Sequence, residues 1–156
     1  MAESLNERIR ETFQIEERDI KTFSPLTLAF IGDGVYEIIV RSIIVASRNV
    51  SPSKLHNASA HIVKAESQRK VSEAIAPYLT DEESDVFRRG RNAKSYTHSK
   101  NASVSDYRMA TGFEALLGYL FLKNERDRIF WLVKKGLEET GLLKDHAGDL
   151  EEKNHA

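Results

Sequence analysis

The sequence has no cysteine, which excludes disulfides and thiolate metal sites and suits a reducing cytosol. Proline is scarce, with three among 156 residues, so long helices meet few obligatory breaks. No uncharged apolar run approaches the length needed to span a membrane, so no membrane segment is expected. The amino-terminal stretch MAESLNERIRE lacks the basic-then-apolar order of a signal peptide. These absences together predict a cytoplasmic protein. Excess charge is missing too. The net charge is −1, so overall charge gives no argument for a nucleic-acid partner. Nor does any useful stretch alternate apolar and polar residues with period two, so no strand is predicted.

What is present is ordinary for a globular domain: 40% hydrophobic and 30% charged residues, enough for one core. The reading is a single domain over residues 1–143, followed by a polar tail, 144–156, expected to be disordered. The fold class expected is all-α. Ser4 to Glu7 spell a capping box ahead of Leu5, Ile9 and Phe13 at helical spacing. Ser24-Pro25 and Ser51-Pro52 are start signals, with Ser as cap and Pro at the first helical position. The first should launch a long apolar helix to about Ser47. The second should launch a helical region carrying Leu55, Ala58, Ile62, Val63, Val71 and Ile75, ended by Pro77. Thr80 to Glu83 form another capping box, opening a short helix to about Arg88. Residues 90–105 read as a loop. Residues 106–123 and 126–140 read as two further helices, the last capped by Gly141.

One stretch carries chemistry. Residues 26–37, LTLAFIGDGVYE, set Asp33 between two glycines in an apolar run. An uncompensated carboxylate among apolar neighbours is costly. Gly32 and Gly34 each weaken a helix by about 1 kcal/mol relative to Ala. Either another backbone approaches closely there or the Asp serves a site; the alternative is an Asp capping a new helix at a break. A second carboxylate favours the site. Glu114 lies mid-helix in MATGFEALLGYLF, and its face carries the small residues Ala110, Thr111 and Gly118. Two helices crossing at these small patches would bring Asp33 and Glu114 together. Like charges held close need a proton or a cation between them. A hard divalent cation such as Mg²⁺ suits two carboxylates completed by water and phosphate. The plainer alternative places Glu114 on the exposed face of an amphipathic helix.

Local charge also speaks. Residues 88–101, RRGRNAKSYTHSKN, hold Arg88, Arg89, Arg91, Lys94 and Lys100 with no acid. Such a segment suits contact with a phosphate backbone, although a solvated basic loop is common. It runs directly into the helix of Glu114, the layout expected for phosphodiester hydrolysis. Asn92 and Tyr107 are candidates to orient phosphate or water. His56 and His61 are five residues apart, which does not put them on one helix face, so a zinc site is not expected.

With these residues in view, the chain resembles the ribonuclease III family. Ile31-Gly32-Asp33 matches its LGD-like turn, and Phe113-Glu114-Ala115-Leu116-Leu117-Gly118 its second motif. GRNAK at 90–94 and YRMATGFEALLGYL at 107–120 look like the family's short branch, the mini-ribonucleases III, which consist of the catalytic domain without a double-stranded-RNA-binding domain. The resemblance spans roughly residues 15–140. It implies a helical homodimer that cleaves double-stranded RNA with Mg²⁺, leaves 5′-phosphate ends and matures the 23S ribosomal RNA precursor. It also implies metal ligation and catalysis by Asp33 and Glu114, with Arg88, Arg89, Arg91, Asn92, Lys94 and Lys100 on the RNA. Two carboxylates usual in longer members are absent, being Ala29 and Thr111 here, which points to a single metal ion. Glu37 shares the face of Asp33, and a salt bridge to Arg41 accounts for it equally well. Asp106 reads as a helix N-cap. The competing readings are an inactive RNA-binding module of the same fold and a helical protein-interaction domain.

Overall fold

The computed structural model describes residues 3–94 and 103–144. Among the described residues seven α-helices form the framework: α1 (Leu5–Thr12), α2 (Pro25–Ser47), α3 (Pro52–Val63), α4 (Ala65–Ile75), α5 (Asp81–Asn92), α6 (Val104–Leu122) and α7 (Arg126–Thr140). Short 3-10 turns lie at Ile20–Thr22 and Ala76–Tyr78. Among the described residues there is no strand.

The starts follow the local chemistry. Ser4 and Thr80 each close a full capping box, with Glu7 and Glu83 reaching back to the cap backbone. Ser24 and Ser51 cap α2 and α3 ahead of Pro25 and Pro52. Gly141 ends α7 in the left-handed region at φ 71°, where glycine carries no Cβ penalty.

α6 is the axis of the bundle. It buries residues on nearly every side, including Ala110, Phe113, Leu116, Leu117 and Leu120, and packs against α2, α4, α5 and α7. A helix apolar all round belongs inside. Around it Val40, Ile62, Val71, Ile75, Leu132 and Leu137 close the core. Tyr36 meets Phe113 edge to face at 5.0 Å, and its hydroxyl donates to the Ile62 carbonyl at 3.3 Å. Ile62 is in the core proper, with Leu55 and Val63 packed at its margin.

Three expectations are corrected. The region after Ser51 is two helices, because Lys64 adopts an extended conformation with ψ 155°. The freed carbonyls of α3 find new donors: Gln68 Nε2 donates to Val63 at 2.8 Å and Ser67 Oγ to His61 at 2.5 Å. Second, α5 runs to Asn92, four residues beyond the expected end, so Arg88, Arg89, Arg91 and Asn92 sit on a helix. Its buried residue there is Gly90, and a glycine leaves no trace in a hydrophobic pattern. Third, Ser103, not Asp106, caps α6. Asp106 stands in the first turn, where its carboxylate accepts from Arg69 Nε on α4 at 2.5 Å. Lys100 and the tail beyond Lys144 lie outside the described residues.

Candidate active site

The site begins with a backbone crossing. Where α2 passes α6, a Cβ at Gly32 would fall 1.6 Å from the Glu114 carbonyl oxygen, and one at Gly118 would fall 1.9 Å from that of Leu28. No larger residue fits at either point. Gly34 has nothing within 4 Å of where its Cβ would stand. Of the two glycines flanking Asp33, then, only Gly32 answers to a close approach.

The crossing brings the two acids together. Asp33, the residue after Gly32, emerges at the rim of the contact and is exposed, against the apolar enclosure its neighbours in sequence suggested. Glu114 is half-buried. The carboxyl of Asp33 lies within hydrogen-bonding reach of Glu114. Burial first, then the Asp33 charge and hydrogen bond, then the charge of Glu37, push the Glu114 carboxyl up to about 9. At neutral pH, with no cation bound, Glu114 therefore keeps its proton. A cation would replace it.

The donor set fits Mg²⁺, since two adjacent hard carboxylate oxygens at an accessible rim leave room for water and phosphate. Among the described residues, no three acidic or histidine groups converge closely enough to hold a metal as they stand. The residues at the two missing carboxylate positions do not compensate. Ala29 has no donor, and the buried Thr111 hydroxyl donates to the Tyr107 carbonyl at 2.9 Å. Glu37, one turn after Asp33, accepts from Arg41 Nε at 3.0 Å.

The cations arrive by a second crossing on the same helix. A Cβ at Gly112 would fall 2.7 Å from the Phe87 carbonyl oxygen and 3.2 Å from the Arg91 amide nitrogen; one at Gly90 would fall 2.7 Å from the Ala115 Cβ. The basic end of α5 thus lies against the turn of α6 that bears Glu114. Arg88, Arg89, Asn92 and Lys94 are exposed and Arg91 is half-buried. Arg88 pairs with Asp85, and Arg91 Nε approaches Asn92 Oδ1 at 3.4 Å.

Two fixings of this frame escaped sequence reasoning. Arg128 of α7 holds the buried Glu83 at 2.8 Å and donates to the Tyr78 carbonyl at 2.7 Å. Arg69 bridges Asp106 and Glu73, at 2.5 and 3.1 Å. The Arg128–Glu83 and Arg69–Asp106 pairs join residues far apart in sequence, which nothing local marks.

Residues 26–125, which include both acids and the basic end of α5, match the ribonuclease III domain model. The mini-ribonuclease 3 of Clostridium tetani is 47% identical over 78% of this chain and 81% of its own. That of Enterococcus faecalis is 44% identical over 76% and 94%. A crystal structure of a Fusobacterium nucleatum protein superposes with a TM-score of 0.70 at 24% identity, covering 80% of this chain and 99% of that one, which supports the fold. The chain belongs to the ribonuclease III family, in its mini-ribonuclease 3 branch, and is an endoribonuclease.

Proposed function

We propose that this endoribonuclease is Mg²⁺-dependent and cuts double-stranded RNA, with the precursor of 23S ribosomal RNA as its cytoplasmic substrate. The observation that carries the reading is the Asp33–Glu114 pair, held by the Gly32–Gly118 crossing beside the cationic end of α5. Asp33 and Glu114 would hold the metal. A bound Mg²⁺ supplies an acidified water and polarises the scissile phosphate. Glu114 would have to lose its proton to hold the cation, and its half-buried setting limits competing water around it. Arg88, Arg89, Arg91 and Lys94 bind the RNA backbone, and Lys100 continues the basic segment. Asn92 and Tyr107 orient phosphate. Duplex RNA is read through shape and 2′-hydroxyl contacts in the shallow minor groove, so exposed cations on a rigid helix suffice to position it.

The working unit is a homodimer. α1 turns Asn6 inward, where it donates to the Leu122 carbonyl at 3.4 Å and to Asn124 at 3.2 Å, and leaves Leu5, Ile9 and Phe13 outward. Leu5 and Ile9 border an apolar groove of about 310 Å³ that also takes in Ile38 and Phe130. Phe30, three residues before Asp33, is 82% exposed. A second copy covers this apolar face and takes its exposed side chains out of water.

Cleavage of a labelled RNA duplex tests the reading. The native chain should cut it with Mg²⁺ and not with chelator, and Asp33→Asn and Glu114→Gln should both drop to background. A native chain that cuts single strands as readily, or an active Asp33→Asn variant, would overturn it.

A further inference from the structure

Glu37 is not accounted for by the pair it sits beside. It lies one turn after Asp33 on the same face of α2, with its side chain 32% exposed, and accepts from Arg41 Nε at 3.0 Å. Its charge reaches Glu114. Without a cation that is a liability, because a third negative charge raises the cost of the other two. An exposed Glu–Arg pair at this spacing is worth only about 0.3–0.5 kcal/mol, a weak reason to keep an acid there. With a cation in place the same charge becomes favourable, and it makes up part of what Ala29 and Thr111 no longer supply. The described residues show no three-acid convergence, which fits contact through water better than direct ligation. Mg²⁺ characteristically keeps several waters for such contacts.

We propose that Glu37 is the third carboxylate of the metal site, reaching the cation through its bound water, and that Arg41 is its partner when no cation is bound. This rests on the reading of Asp33 and Glu114 as the metal-holding pair. Carboxylates acting through a metal's outer shell tune affinity by about 10–100-fold.

The test is Mn²⁺ binding to the full chain without RNA, followed by electron paramagnetic resonance. Glu37→Gln should weaken binding about tenfold, while Arg41→Gln, which frees Glu37, should tighten it. The difference should persist in high salt, where long-range charge effects are screened. A Glu37→Gln affinity within about twofold of native would overturn the proposal, as would Glu37→Gln and Arg41→Gln shifting in the same direction, the result of a merely structural ion pair. Asp33→Asn and Glu114→Gln separate the two levels. If they abolish binding while Glu37→Gln leaves it intact, only Glu37 is misassigned. If they bind Mn²⁺ like the native chain, the metal-holding pair fails, and the role of Glu37 with it.

Discussion

α6 is crossed twice by glycine contacts, and the two crossings differ in what they deliver. At α2 the backbones touch so closely that a Cβ would overlap a carbonyl oxygen at 1.6 Å, and two acids are forced together at the rim. At α5 the corresponding clearances are 2.7 Å, and the cations fan outward into solvent. Groups that repel once both are charged need the tighter clamp, because a single hydrogen bond is otherwise all that links them. Cations awaiting a polyanion need only a direction.

The sharpest way to break this contrast is one methyl group at each crossing. Gly32→Ala must part α2 from α6 against two backbones, so we expect a loss of about 4 kcal/mol or failure to fold. Gly90→Ala meets the Ala115 Cβ at 2.7 Å and the Gly112 Cα at 3.0 Å. There α5 must draw back from a fixed Cβ and a backbone carbon, while the helix gains from Ala, leaving a cost of about 2 kcal/mol. Thermal melts of both variants rank the crossings; equal losses would dissolve the distinction.

The α5 side has a different weak point, its buried ion pair. Arg128→Met leaves Glu83 buried without its partner, a cost of about 3 kcal/mol. The double variant Glu83→Gln/Arg128→Met should recover much of it, since no buried charge is then left unpaired. Denaturant melts of Arg128→Met, Glu83→Gln, the double variant and the native chain close the cycle.

How much of this was legible follows from where each signal lives. The caps at Ser4, Ser24, Ser51 and Thr80 are local hydrogen bonds within four residues, and sequence shows them. Asp33 and Glu114 could be paired from sequence because small residues on both helix faces imply contact. The exposure of Asp33 could not, since it depends on the angle at which the two helices meet. Gly90 hid the last turn of α5 because its burial adds nothing apolar to the pattern. Lys64 hid the α3–α4 break because a lysine carries no turn signal; the break is stabilised instead by Ser67 and Gln68, further along the chain. Asp106 looked like a cap because its true partner, Arg69, is 37 residues away.

Proton linkage sharpens the account of the acid pair. In the metal-free protein Glu114 is raised from 4.5 to about 9, so the folded state binds this proton more tightly than the unfolded chain. Its contribution to stability is fully present below about pH 4.5 and is lost as pH rises toward about 9. Metal-free native protein should therefore lose stability across that window relative to Glu114→Gln, which cannot ionise. Allowing for solvent screening at a half-buried group, the difference is on the order of 2 kcal/mol, or about 6 °C in melting temperature. Saturating Mg²⁺ should abolish the difference. Parallel pH profiles for the two proteins would mean that the carboxyls do not share a proton.

The smallest effect separates two neighbouring cations on α5. Arg88 is paired with Asp85, while Arg89 has no ion-pair partner among the described residues and is exposed. An arginine already neutralised brings less net positive charge to a phosphate and must give up its partner to make the contact. An unpaired one releases a condensed counterion outright. Arg89→Ala should therefore lower the slope of log affinity against log salt for duplex RNA by about 0.9, and Arg88→Ala by clearly less. The measurement uses Ca²⁺ in place of Mg²⁺ to hold the duplex uncut, with both variants compared over one salt series. Equal slopes would show that Asp85 releases Arg88 freely, and that local pairing along α5 does not grade its cations. A larger drop for Arg88→Ala would place the RNA on the other side of the helix, away from the face that Arg89 presents.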